Sequence, residues 1–210
     1  MPLDAEGFEI EKGIIQHYEV LKELGDCYAT LGRLEEARGC YLQACDLAPQ
    51  QAGGHVGLGV LQMQQECPEQ AHRHFGRALE LDAKCSDAYG GLAMIHQQRG
   101  DHARAFDLYL KCLELNSDNL VALLGLFQTS CQMGTFSKII QYLEMYLDKH
   151  PGDTSVLFCL ATLYAREGRL DEARTSLMTV LALENDKTEA RDLLKEVERK
   201  IADRATAINV

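Results

Sequence analysis

Residues 86–101 read SDAYGGLAMIHQQRGD and place two adjacent glycines, Gly90 and Gly91, at the centre of an amphipathic stretch. Its apolar residues recur at the three- and four-residue spacing of one helix face, which predicts a helix. A glycine inside a helix costs about 0.5–1 kcal/mol relative to alanine. The pair of glycines therefore needs a reason, either in packing or in binding.

The same pattern recurs along the chain every 34 residues, as from Leu92 to Leu126. The shared leucine stands at Leu24, Leu58, Leu92, Leu126 and Leu160. A small residue follows it at Gly25, Gly59, Ala93 and Ala161, and a second small residue stands at Ala37, Ala71, Ala105 and Ala173. A large residue comes four positions later, at Tyr41, Phe75, Tyr109, Leu143 and Leu177. Such self-similarity is typical of a repeat architecture.

Each repeat is predicted to hold two short helices joined by a turn, which a glycine supplies at Gly32, Gly100, Gly134 and Gly168. In the second repeat Glu66 takes that position, and Pro68 marks the start of the second helix. The repeats span 18–51, 52–85, 86–119, 120–153 and 154–187. Larger residues in the fourth repeat, Phe127, Ile139 and Tyr146, predict looser packing there.

Two segments flank the repeats. Residues 188–204 have one apolar face and a charged remainder, which predicts the capping helix that ends a stack of repeats. Residues 205–210 are predicted to form a loose tail. Residues 1–17 carry Phe8, Ile10, Ile14 and Ile15 and either extend the first helix or dock into the groove of a second copy of the chain.

The 34-residue spacing with its alternation of small and large residues resembles the tetratricopeptide repeat (TPR) family over residues 18–187. The resemblance implies an all-α, right-handed α-solenoid of five helix-turn-helix repeats plus a C-terminal capping helix. It also implies that one stripe of each first helix lines a concave groove where partners dock. Helix periodicity alone shows that each first helix has a second face besides its core face. That this second face lines a concave groove is implied only by the family resemblance.

That stripe is apolar and nearly uncharged in the central repeats, and it is the predicted partner-binding groove. Its residues are Val56, Gly57, Val60, Met63, Gln64, Gly90, Gly91, Met94, Gln97, Gln98, Val121, Leu124, Gly125, Gln128, Gln132, Phe158, Cys159 and Thr162. Gly57, Gly91 and Gly125 are predicted to clear the groove floor so that a partner reaches the helix backbone. The alternative is that these glycines ease close packing between successive first helices.

The groove predicts a protein partner, bound as a peptide or as an amphipathic helix with an apolar centre and basic flanks. Acidic residues at both ends, among them Glu19, Asp26 and Glu196, suggest the basic flanks. Some TPR domains clamp a partner's C-terminal carboxylate with basic residues and asparagines, but only Lys22 matches that pattern here. The alternative functions are a self-assembling scaffold, which would be a homo-oligomer, and a chaperone that shields an apolar client segment.

Composition narrows the class of partner. The chain has 210 residues and a net charge of -11, which disfavours nucleic acid and anionic membranes. No catalytic motif, zinc spacing or membrane span occurs, so we predict neither an enzyme nor a cofactor, a metal or membrane insertion. The eight cysteines are predicted to be reduced thiols of a cytoplasmic protein, and His72 and His74 to be surface residues.

Overall fold

The structure, a computed structural model, describes the backbone of residues 4–208 and the side chains of residues 12–204. Eleven helices lie in this part of the chain. They are α1 (Asp4–Thr30), α2 (Leu34–Leu47), α3 (Gly53–Gln64), α4 (Pro68–Leu81), α5 (Ser86–Gln98), α6 (His102–Leu115), α7 (Leu120–Met133), α8 (Ser137–Lys149), α9 (Thr154–Arg166), α10 (Leu170–Leu183) and α11 (Thr188–Ile208). The helices form two units, α1–α6 and α7–α11.

Every predicted turn lies between the two helices of its repeat. The four turn glycines have positive φ angles between 68° and 78°, a conformation that glycine adopts without steric cost. Glu66 replaces glycine in the second repeat and still adopts φ 58°. Helix α4 begins at Pro68, where the missing N–H leaves no helical bond unmade.

The second-helix positions predicted from the repeat form the core. The small residues Ala37, Ala71, Ala105 and Ala173 are fully buried, and so are the large residues that follow them, from Tyr41 to Leu177. The repeated leucine is buried at Leu58, Leu92, Leu126 and Leu160. Leu24 is the exception, at 41% exposure; it lies on α1, which packs against α2 and α3 among the described helices.

The glycines of the first unit form slots for aromatic rings. The Tyr41 ring of α2 lies against both Gly25 of α1 and Gly57 of α3, and a Cβ built at either glycine would approach within 2.6 Å of the ring. The Phe75 ring of α4 repeats this arrangement against Gly59 and Gly91. Real Cβ atoms essentially never come that close. Each ring thus packs its own hairpin against the next one.

This packing corrects the role predicted for the groove glycines. Gly57, Gly90, Gly91 and Gly125 are all buried. A side chain at Gly57 or Gly91 would enter an aromatic ring of the preceding hairpin rather than an open groove. A Cβ at Gly90 would meet Cys112 Sγ at 3.5 Å, which is ordinary contact with α6. The alternative, that the glycines permit close packing between hairpins, describes the first unit.

The fourth repeat is more loosely packed than the others. Helices α7 and α8 approach each other closely along less of their length than the two helices of any other repeat. Ile139 is fully buried where the other repeats place alanine, and Tyr146 is buried as well. The bulk of these side chains keeps the two backbones apart, as the sequence predicts.

Both flanking segments continue helices. Helix α1 runs through residues 4–17 without a break, and its side chains at 12–17 are exposed, including Ile14 and Ile15. The side chains of Phe8 and Ile10 lie outside the described residues. Helix α11 packs Ala190 and Val197 against α9 and α10 and extends to Ile208, past the predicted end at 204. Of the predicted loose tail, residues 209 and 210 lie outside the described part.

A histidine pair joins α3 to α4, so His74 is not the surface residue that its position in the sequence suggested. The Nδ1 atoms of His55 and His74 are 3.5 Å apart and the rings are stacked. Burial lowers the pKa of both imidazoles. Positive charge from Arg77 lowers the pKa of His55 further. Positive charge from His55, Arg73 and Arg38 does the same for His74.

The histidine pair makes stability depend on pH. Since each folded-state pKa lies below the unfolded value, the unfolded chain takes up more protons as pH falls below about 6.5, and stability falls with it. We expect urea denaturation to show a lower unfolding free energy at about pH 5.5 than at about pH 7.5. The variant His55→Gln should lose much of this difference. An equal pH dependence in both proteins would contradict the assignment.

Candidate functional site

The first unit carries a pocket of about 250 Å³ where α1, α3 and the start of α5 meet. We call it the Val60 pocket. Its lining residues are Lys22, Asp26, Tyr41, Gly53, Val56, Gly57, Val60, Cys85 and Asp87. Three successive first helices contribute to it, as the TPR resemblance implies for a groove.

The helix periodicity of α3 sets the apolar wall. Val56 and Val60 are one helical turn apart and therefore share a face. Val56 is half-buried and packs against the core cluster around Phe75, whereas Val60 is 42% exposed. The backbone of Gly57 completes this wall, because its missing side chain leaves room for the Tyr41 ring beside it.

The charged wall comes from α1. Tyr41 Oη donates a hydrogen bond to Asp26 Oδ1 at 2.6 Å, and Lys22 Nζ lies 3.6 Å from Asp26 Oδ2. The same ammonium lies 3.9 Å from Glu19 Oε2. The Lys22 stem passes close to the backbone of Gly53, where a Cβ would be 2.9 Å from Lys22 Cδ. Asp26 is thus held in position by two neighbours.

Burial changes the acid–base behaviour of two lining groups. It raises the pKa of the Tyr41 phenol, and the hydrogen bond to the Asp26 carboxylate raises it further, so the phenol stays a donor at neutral pH. Burial also raises the pKa of the Cys85 thiol. A protonated thiol is a weak nucleophile, so Cys85 belongs to the wall and is not an activated group.

The structure brings three of the predicted groove residues together, namely Val56, Gly57 and Val60. The other predicted residues of the first unit do not line this pocket: Met63, Gln64, Gly90, Gly91, Met94, Gln97 and Gln98. Met63 packs against the core. Gln97 accepts a hydrogen bond from Tyr109 Oη at 2.6 Å, so its amide supports the fold.

The predicted groove residues of the second unit lie on α7 and α9. They are Val121, Leu124, Gly125, Gln128, Gln132, Phe158, Cys159 and Thr162. Val121, Gln128 and Gln132 are exposed. Lys187 lies over the Phe158 ring, with Nζ 5.7 Å from its centroid, and burial raises the pKa of the Cys159 thiol to about 11. Thr162 donates to the Phe158 carbonyl at 2.9 Å.

The sequence does not predict Tyr41, Gly53, Cys85 and Asp87 as lining residues. The repeat pattern predicts Tyr41 as a core residue; its ring is buried there, and its hydroxyl also reaches Asp26. The signal for a second role was the coincidence of an aromatic residue with glycines on two neighbouring first helices. Cys85 lies just before α5, outside any helical stripe, so periodicity does not point to it.

Two kinds of site are absent from the described part of the chain, a metal site and a membrane-spanning helix. No group of three or more His, Cys, Asp or Glu side chains arranged to hold a metal occurs among residues whose side chains are described. Within the same part of the chain, no helix combines the length and apolar character that crossing a bilayer requires.

The fold defines a helical-repeat protein, and in its first unit the first helices α1, α3 and α5 line one pocket. Two sequence models, described as TPR repeat and tetratricopeptide repeat, match residues 25–66 and 56–119. These models place residues 25–119 in the tetratricopeptide repeat family, and the predicted TPR resemblance and all-α repeat fold are confirmed.

Known proteins resemble this chain in sequence or in fold. Cellulose synthase operon protein C of Xanthomonas axonopodis pv. citri (strain 306) is 31% identical over 170 residues, which cover 76% of this chain but 11% of that protein. The PilF structure of Pseudomonas aeruginosa matches with a TM-score of 0.75 at 20% identity, over 94% of this chain and 90% of that one. The structure of YrrB, described as a TPR protein with an unusual peptide-binding site, matches with a TM-score of 0.63 at 18% identity, over 83% and 90%.

Proposed function

We propose that this chain is a protein-interaction scaffold that binds a polypeptide segment of a partner at the Val60 pocket. The observation that carries the proposal is the convergence of α1, α3 and α5 on one pocket with an apolar wall and a charged wall. The TPR family supports a role in protein–protein interaction in general, and the pocket supports the choice of this surface as the binding site.

The size of the pocket favours a side chain of a polypeptide over a free small molecule. Pockets for small ligands enclose about 300–1,000 Å³, and this one is smaller, at about 250 Å³. A single long side chain fits, with the rest of its chain lying along the first helices. The peptide-binding site described for YrrB, a protein of the same fold, is consistent with this use of the surface.

An extended peptide and a helix are both compatible with this mode of binding, since each presents an anchoring side chain. The alternatives of self-assembly through residues 1–17 and of a client chaperone stay predictions. A cytoplasmic location and the absence of catalysis stay predictions as well.

Val60→Lys is expected to weaken peptide binding at least about tenfold, because the lysine stem fills the pocket from its exposed wall. Lysine is a better helix former than valine, so α3 should stay intact. The full chain is first panned against a displayed library of random peptides. The dissociation constants of the enriched peptides are then measured on the wild type and the variant.

The matched control is Leu42→Lys on α2, another exposed apolar residue of the same unit, which does not line the pocket. It should bind the enriched peptides like the wild type, and thermal unfolding should be similar in all three proteins. Peptides that bind both variants equally would contradict the proposed site, as would a selection that enriches none.

A further inference from the structure

We propose that the Val60 pocket selects a basic side chain, arginine or lysine, from the bound polypeptide. This inference rests on the proposed function, because it names the chemistry of the segment bound there. It follows from the arrangement of the lining groups, in which the carboxylates of Asp26 and Asp87 adjoin the apolar surface of Val56 and Val60. A long basic side chain has the same arrangement, an apolar stem and a charged head.

The charge balance favours a cation over an anion. The lining holds two carboxylates and one ammonium, and that ammonium, Lys22, already lies within 4 Å of both Asp26 and Glu19. An incoming carboxylate would meet Asp26 and Asp87 as like charges. An incoming guanidinium or ammonium would meet the same two carboxylates as opposite charges.

Asp26 is preorganised for such a contact. Its Oδ1 accepts from Tyr41 Oη, and the Tyr41 ring is fixed between Gly25 and Gly57. A carboxylate has about four acceptor positions, and the Asp26 side chain keeps 56% of its surface exposed, so further donors can reach it. Because the carboxylate is already held, binding a cation there costs little ordering of the site.

The apolar wall makes the site specific for a long side chain. Val56 and Val60 lie one turn apart along α3, so a methylene stem contacts both while its head reaches toward the acidic groups. A short or purely polar cation would leave this surface uncovered. The selection is therefore for arginine or lysine within a polypeptide, and not for a free inorganic cation.

A positively charged probe and an uncharged probe of nearly the same shape test the proposal on the full chain. N-acetyl-arginine N-methylamide and its citrulline counterpart are titrated into nitrogen-15-labelled protein, with N-acetyl-glutamate N-methylamide as the anionic probe. The arginine probe should shift the amide signals of Asp26, Gly57 and Val60. Its affinity should exceed that of the citrulline probe about two- to fivefold, the effect of one partly exposed charge pair.

The double variant Asp26→Asn/Asp87→Asn should bind the arginine probe no more tightly than the citrulline probe, and citrulline binding should be unchanged. Glu35→Gln/Glu80→Gln removes two carboxylates outside the pocket and should keep the preference of the wild type. Equal affinity for arginine and citrulline, a preference for glutamate, or no binding of any probe would overturn the proposal.

The peptide selection separates this inference from the proposed function. Enriched peptides that need Val60 but carry no basic anchor would refute the basic specificity and leave the scaffold function standing. Loss of the scaffold function would instead appear as a selection whose peptides ignore the Val60→Lys change.

Discussion

Gly91→Arg is expected to lower the free energy of unfolding by about 3 kcal/mol or more. The new Cβ would lie 2.5 Å from Cε1 of Phe75, whose ring is 1% exposed and fixed against Gly59 on its own hairpin. The ring cannot move away without opening the contact between two hairpins, and overpacking of this kind costs about 1–3 kcal/mol before the bulk of arginine is added. Urea denaturation followed by circular dichroism measures the loss.

Gly76→Arg is the matched control for this prediction. Gly76 lies inside α4, and a Cβ there meets nothing within 4 Å. Arginine should therefore stabilise α4 by up to about 1 kcal/mol, because glycine is the poorer helix former. If Gly91→Arg proves as stable as Gly76→Arg, residue 91 faces open space and the ring slot is wrong.

The repeat period allowed much of the fold to be predicted from the sequence. The leucine at one helix position and the small residues at two others recur because every hairpin packs against its neighbours in the same way. The glycine turns follow from the need for positive φ, and Pro68 marks the start of α4 because its ring suits the first helical position. These features are local, or they repeat at a fixed distance, so one chain suffices to find them.

The role of the glycines could not be predicted in the same way. Periodicity shows that Gly57 and Leu58 face different sides of α3, but it does not show which neighbour covers each side. The side of Gly57 is covered by Tyr41, a residue of the preceding hairpin. A sequence signal does exist: a glycine stands 16 residues after each of Tyr41, Phe75 and Tyr109, whereas Cys159 stands 16 residues after Leu143.

The candidate site was predictable in part for the same reason. Val56 and Val60 share a helical stripe, so their common surface follows from the sequence. The position of Asp26 against Tyr41 depends on a contact across two helices, with Oη and Oδ1 2.6 Å apart. The charge of the pocket therefore became visible only when the hairpins were packed together.

Tyr41→Ala is expected to cost about 3–5 kcal/mol, the usual effect of truncating a buried aromatic side chain. The ring fills the space between Gly25 and Gly57, and neither glycine carries atoms that could close the cavity. Tyr41→Phe keeps the ring and removes only the hydroxyl that donates to Asp26, so its cost should be about 1 kcal/mol. Chemical denaturation of the two variants separates packing from hydrogen bonding.

The decisive comparison adds Gly57→Ala to each background. In the wild type the new methyl group meets the Tyr41 ring and should cost about 1–3 kcal/mol. In the Tyr41→Ala background the ring is gone, so the same change should stabilise the chain by up to about 1 kcal/mol through helix propensity. A double-mutant cycle measures this change of sign as a coupling energy. Additive effects would mean that the ring of one hairpin does not occupy the glycine slot of the next.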